Sequence, residues 1–147
     1  MKMKVNIKKL DSRAICPSYA TEFAAGADLY ALCDEDIVIK SGETILIHTG
    51  IAMQIPDGYV GLVFARSGLA LKQGLAPANK VGVIDSDYRG EIMVPILNHS
   101  DTDRVVENGE RIAQISIIPY LTAEFFETQE LDATERNLSG FGSTGTK

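Results

Sequence analysis

Apolar and polar positions alternate in short runs along most of the chain, and a turn-forming group interrupts almost every run. Val5 and Ile7 alternate with Lys4, Asn6 and Lys8, which predicts a short strand with one wet face. A loop-like passage from Asp11 to Glu22 leads into small residues, Ala24 to Ala27, and a strand-like Leu29-Tyr30-Ala31-Leu32. Asp36 to Lys40 and Thr44 to Ile55 are rich in Ile, Val and Leu and are divided by Ser41-Gly42, so they predict a strand, a turn and a longer strand. Pro56-Asp57-Gly58 signals the next turn and Tyr59 to Ala65 the next strand. Further turns are expected at Asn98-His99-Ser100-Asp101 and at Asn108-Gly109, the latter as a two-residue hairpin between Arg104-Val105-Val106 and Arg111-Ile112-Ala113.

One segment breaks the β pattern. In ARSGLALKQG, Ser67 is placed to cap a short helix through Leu69, Ala70, Leu71 and Lys72, with Gly74 as its stop. Many short strands and one short helix predict an all-β fold, a jelly-roll-like sandwich or barrel. From Ala133 the texture changes to Gly, Ser and Thr without apolar periodicity, so the reading divides the chain into a β domain over residues 1–132 and a mobile C-terminal segment over 133–147.

Composition narrows the function classes. A chain of 147 residues buries about two-thirds of the surface its unfolded form exposes, enough for a core without staples. Cys16 and Cys33 lack CxxC spacing, so neither a disulfide framework nor a zinc site is expected. The formal charge of −6 argues against a nucleic acid polymer as main partner, though not against a small anion in a local pocket. No apolar run approaches the ~20 residues of a membrane span, and MKMKVNIKKL lacks an unbroken hydrophobic region. A soluble, cytoplasmic protein without a signal peptide is expected.

Candidate chemistry concentrates in VGVIDSDYRGE, Val81 to Glu91, which reads as a β-hairpin with Ile92-Met93-Val94 completing its second arm. Asp85, Ser86, Asp87 and Gly90 suit a solvated turn; equally, a carboxylate beside the Tyr88 ring suits activation of water. Arg66 beside a helix start offers donors to a phosphate, or is an ordinary surface arginine next to a capped turn. Asp28 serves as a strand-end cap in the plainer reading. In the tail, Arg136 and the isolated Phe141 lack packing neighbours of their own, and Gly142, Ser143 and Thr144 after them can wrap donors around an anion. His48 and His99 carry no expected role.

Taken in order, AGADLYA, RSGLALK, GVIDSDYRGEI, GERIAQ and the tail ending GFGSTG resemble the five motifs of the homotrimeric dUTP pyrophosphatase (dUTPase) family. The resemblance implies hydrolysis of dUTP to dUMP and pyrophosphate, which limits uracil incorporation into DNA and supplies dUMP for thymidylate synthesis. It casts Asp85 as the base that deprotonates a water attacking the α-phosphorus, and Tyr88 as the ring beneath the deoxyribose that leaves no room for a 2′-hydroxyl. Backbone around Val81 to Met93 would read the uracil edge, with Asn79, Gly82, Val83, Ile84 and Met93 around the base. Arg66, Ser67, Gly68 and Gln114 would meet the triphosphate. Mg²⁺ would be carried mainly on phosphate oxygens, with Asp28 touching it through water. Arg136 would approach the phosphates, Phe141 stack on uracil, and Gly142, Ser143 and Thr144 close over the substrate.

The family further implies three subunits that contribute different motifs to each site. Its fifth motif usually reads Arg-Gly-x-Gly-Gly-Phe; here Asn137 and Ser139 replace two glycines, and Ser tolerates positive φ less well than Asn. Two other readings compete. In the dCTP deaminase branch of the same fold, the proton-shuttling glutamate aligns with Pro95, which cannot transfer a proton. A non-catalytic nucleotide-binding β-sandwich has no use for both a water-activating carboxylate and a closing lid.

Overall fold

The computed structural model describes residues 3–135, 137 and 138. In chain order the strands are β1 (Asn6–Lys9), β2 (Ser18–Tyr19), β3 (Ala27–Tyr30), β4 (Ile37–Ile39), β5 (Thr44–Ile47), β6 (Ile51–Gln54) and β7 (Tyr59–Phe64). The helix α1 (Ser67–Gln73) follows, then β8 (Leu75–Pro77), β9 (Gly82–Ile84), β10 (Val94–Asn98), β11 (Arg104–Val106) and β12 (Arg111–Pro119). They form a five-stranded sheet β2-β3-β12-β7-β9, a three-stranded sheet β5-β10-β8 and two ribbons, β1-β6 and β11-β4. Every pairing is antiparallel, as a jelly-roll-like fold requires.

The turns that the sequence marks close as expected, but the strands they join do not pair with each other. The Glu43 N–H donates to Lys40, Tyr59 to Pro56 and Glu110 to Glu107, at 2.9, 3.1 and 3.1 Å, with Gly42, Gly58 and Gly109 at positive φ. Yet β4 pairs with β11 while β5 pairs with β10, and β6 pairs with β1 while β7 lies between β12 and β9. The expected Asn108-Gly109 hairpin is therefore a turn that passes the chain from the β11 ribbon into the large sheet. The expected hairpin at Val81 to Glu91 is corrected in the same way: β9 lies on β7 and β10 between β5 and β8. A strand with one apolar face satisfies that face against whichever sheet completes the core, and the turn fixes only the reversal.

The single strand expected from Thr44 to Ile55 is also divided. Its ladder breaks at Gly50, whose φ of 66° is left-handed and whose added Cβ would stand 2.6 Å from Leu32 Cδ2 and 2.7 Å from Ala14 Cβ. Between the sheets, Leu29, Ile39, Ile47, Ile51, Ile55, Leu75, Ile92, Ile96 and Ile112 are wholly buried. Asn98 is buried among them with its amide filled: Nδ2 donates to the carbonyls of Ile39 and Thr102, and Oδ1 accepts from Ser100 N–H and Oγ. After β12 the described chain has no helix or strand, and Leu121, Phe125, Phe126 and Leu131 stand almost fully exposed. Among the described residues no helix is long and apolar enough to cross a membrane.

Candidate active site

The fold gathers the expected site residues into two groups. The first sits where β7 runs into α1. Asp28 on β3 lies opposite Gln114 on β12, and Gln114 lies opposite Phe64 on β7. Asp28 is buried, and both its oxygens accept hydrogen bonds from guanidinium groups, Oδ1 from Arg66 Nε at 2.7 Å and Oδ2 from Arg111 Nη1 at 3.3 Å. Arg111 reaches that face because β12 carries a bulge between Arg111 and Ala113. Without the extra residue, side-chain alternation would turn Ile112 toward Asp28 and Arg111 away.

Gln114 Nε2 donates to the Ala65 carbonyl at 2.9 Å. Its side chain lies against Gly26, where any Cβ would come within 2.3 Å of Oε1, so the small residues before β3 make room for this amide. Helix α1 starts differently from the sequence expectation. Arg66, with extended backbone, is the N-cap residue, Ser67 is the first helical residue, and no side chain caps the helix. A serine inside the first turn no longer has the extended backbone that aims a capping oxygen at the helix start. The first-turn N–H groups thus remain available to an anion, and space is open where a Cβ on Gly68 would stand. Gly74, at φ 69°, ends the helix as expected.

The second group is carried by β9 and the loop after it. β9 is the edge of the five-stranded sheet, so main-chain groups on its outer side are left without a strand partner. Gly82 packs close to Val63 and the Asn79 amide, and Val83 is exposed. Lys80, between Asn79 and Val81, has φ 65° under a Val81 N–H to Asn79 carbonyl bond of 2.7 Å, a tight γ-turn that sets the angle at which β9 begins. Asp85 opens a turn closed by the Tyr88 N–H at 3.2 Å, and its carboxylate is exposed and hydrogen-bonds to none of the described residues. Arg89 Nη1 donates to the carbonyls of Ser86 and Tyr88 and so braces the turn. Met93 lies just before β10, half-buried.

Within one chain the two groups lie at opposite ends of β7. In the register of β7, Gly82 faces Val63 and Ile84 faces Gly61, so Asp85 leaves the sheet beside Val60 while Arg66 follows Ala65 at the other end. The span from Val60 to Arg66 is about 20 Å at ~3.3 Å per residue.

The sequence alone gives Glu91 and His48 no role. The Glu91 carboxylate reaches the β5–β6 corner, where Oε1 accepts from Gly50 N–H at 2.7 Å and Thr49 N–H at 3.1 Å, and Oε2 lies 2.9 Å from His48 Nδ1. Burial alone pushes the Glu91 carboxyl up, but His48 and the two N–H donors outweigh it and hold its pKa below the usual 4.5. A depressed folded pKa means stability that is present above the unfolded value and lost as pH falls through the folded one. The thermal midpoint is expected to drop as pH falls below about 4.5, and Glu91→Gln to flatten part of that drop. Melts of both proteins across this acid range that run parallel would contradict it.

A family model described as dUTPase matches residues 12–145. The chain belongs to the dUTPase family. A deoxyuridine 5'-triphosphate nucleotidohydrolase of Hydrogenobaculum sp. is 49% identical over 99% of this chain and 100% of its own length. A mutant dUTPase of Staphylococcus bacteriophage 80alpha, solved with dUpNHpp, is 30% identical with a TM-score of 0.86, over 98% of this chain and 99% of that one. A mutant dUTPase from phage phi11 of S. aureus, which coordinates a structural Mg(II) ion, is 27% identical with a TM-score of 0.77, over 89% of this chain and 100% of that one.

In this dUTPase-family chain, Arg136, Ser139, Phe141, Gly142, Ser143 and Thr144 lie outside the described residues, though the family match runs through Thr144. Asn137, which stands in place of a motif glycine, has φ 43°, a left-handed conformation that Asn accepts. The dUTPase motifs contain Glu91 and Arg111, but nothing in their spacing shows that one reaches His48 and the other Asp28.

Proposed function

We propose that this dUTPase-family chain hydrolyses dUTP to dUMP and pyrophosphate, with Asp85 as the base. The observation that carries the reading is an exposed carboxylate, free of other bonds among the described residues, next to an edge strand and a tyrosine ring. Main-chain N–H and C=O groups on β9 would pair with uracil, as cytosine presents the opposite donor pattern, and Tyr88 would exclude a ribose 2′-hydroxyl. Asp85 takes a proton from water as its oxygen bonds to the α-phosphorus, and the bond to the β-phosphate's bridging oxygen breaks to release pyrophosphate. Arg66, Ser67, Gly68 and Gln114 hold the phosphates. Arg136, Phe141, Gly142, Ser143 and Thr144 close over them, a part that rests on the motif match alone.

Among the described residues no three His, Cys, Asp or Glu side chains gather to hold a metal. Both Asp28 oxygens already accept from arginines, so direct ligation there does not fit. A carboxylate has about four lone-pair sites, which leaves room for a contact through water. When bound, Mg²⁺ would ride on the phosphates and share their charge.

The length of β7 between the positions of Asp85 and Arg66, about 20 Å at ~3.3 Å per strand residue, is long for one α-phosphate to bridge, which supports a complete site that combines groups from different copies in a homotrimer. The exposed Leu121, Phe125, Phe126 and Leu131 support the same reading, since apolar groups of this size seek a partner surface. The test is pyrophosphate release from dUTP compared with dCTP, dTTP and UTP, with and without Mg²⁺. Strong preference for dUTP is expected; equal rates on dUTP and UTP, or none on dUTP, would overturn the proposal.

A further inference from the structure

We infer that Glu91 is a positioning residue that fixes Tyr88 and thereby sets discrimination between deoxyribose and ribose; this rests on the reading of Tyr88 as the sugar wall. Tyr88 stands 41% exposed at the surface. Two local contacts locate it. Its hydroxyl donates to the Glu91 carbonyl at 2.9 Å, and its ring folds over Gly90, where an added Cβ would lie 2.4 Å from the hydroxyl and 2.6 Å from Cζ. The position of the ring is therefore only as well defined as the backbone of residues 90 and 91.

That backbone is tied to a rigid corner. Glu91 accepts from Thr49 and Gly50 N–H and pairs with His48, its side chain only 20% exposed. Thr49 Oγ1 donates to the Ile92 carbonyl, and Ile92 N–H donates to Ile51 at 2.8 Å. The corner cannot yield easily, because Gly50 is left-handed and closed in by Ala14 and Leu32. Rigidity passes from the core through the Glu91 carboxylate and the Ile92 backbone to the Glu91 carbonyl, and from there to the tyrosine hydroxyl. Supports of this kind hold a contacting group to its working geometry without touching the substrate.

The test is the ratio of kcat/KM for dUTP to that for UTP, measured on the full chain with Glu91→Ala, Glu91→Gln, Tyr88→Phe and Glu91→Ala/Tyr88→Phe. Glu91→Ala cuts the link at the carboxylate and Tyr88→Phe cuts it at the other end, the bond to the Glu91 main-chain carbonyl. Glu91→Ala and Tyr88→Phe are each expected to lower the ratio about fivefold, the worth of one neutral hydrogen bond. The double variant should be no worse than either single one, since both act through one link. Glu91→Gln should recover most of the ratio, because its amide oxygen still accepts from Thr49 and Gly50. A merely structural role would lower the active fraction and reduce both substrates alike, leaving the ratio unchanged; that outcome overturns the inference. If Glu91→Ala does not fold, an unchanged ratio in Tyr88→Phe overturns it instead. Tyr88→Ala separates the two layers: an unchanged ratio there rejects the sugar-wall reading itself. A collapsed ratio there, with Glu91→Ala indifferent, rejects only the role of Glu91.

Discussion

Asp85→Asn is expected to lose dUTP turnover by about 10³-fold while dUTP still binds, the middle of the range for removing a general base. The substitution keeps size and shape but cannot take a proton at neutral pH. Structural collapse is not a competing explanation, because the Asp85 side chain is exposed and bonds to none of the described residues; its turn is closed by the backbone. The thermal midpoint should therefore be unchanged. Loss of an interaction made only in the transition state lowers kcat and kcat/KM together and leaves substrate affinity in place. Pyrophosphate release with calorimetric binding of dUTP measures both quantities. Turnover near the parent level would remove Asp85 from the mechanism.

Asp28→Ala carries the second large effect, and it falls on stability as well as on activity. The buried carboxylate stands between Arg66 and Arg111 at 2.7 and 3.3 Å. Removing it leaves Arg66, only 25% exposed, without its partner, while Arg111 is half in water and suffers less. Fully buried pairs broken in this way cost about 3–5 kcal/mol, so partial exposure here brings the figure to about 2–3 kcal/mol. For a chain of this length that corresponds to a fall of roughly 6–10 °C in thermal midpoint. Arg66 should also lose its direction, raising KM for dUTP. A melting curve that superimposes on the parent's would show that the pair is solvated and contributes little.

The contrast between what was legible and what was not follows from how each signal is encoded. Turn chemistry is local: Ser41-Gly42, Pro56-Asp57-Gly58 and Asn108-Gly109 each reverse the chain where expected, and Gly74 ends α1. Pairing is not local. Asn-Gly specifies a bend, but whether Val106 and Arg111 then share a ladder depends on β4, β3 and β7, which come much earlier in the chain. The same limit governs the site. Asp85, Tyr88 and Arg66 stand in motifs that the sequence displays, while the Glu91–His48 pair joins residues 43 positions apart. Arg111 faces Asp28 only because of a bulge, a one-residue shift that alternation in the sequence does not reveal. Ser67 has the right chemistry for a cap but stands one residue too late.

The arrangement of strands has a consequence for how the molecule comes into being. β12, the last of the described strands, is the centre of the largest sheet and separates β3 from β7. Among the described strands only the short β2 and β3 are both consecutive and paired, so little local pairing can form early and serve as a seed. A chain emerging from the ribosome can form only the β2–β3 and β7–β9 pairs of this sheet until Pro119 is clear. Its sheet then closes in one late step, which puts its folding among the slow, non-local β topologies, on the order of milliseconds to seconds, and leaves the earlier strands open to association meanwhile.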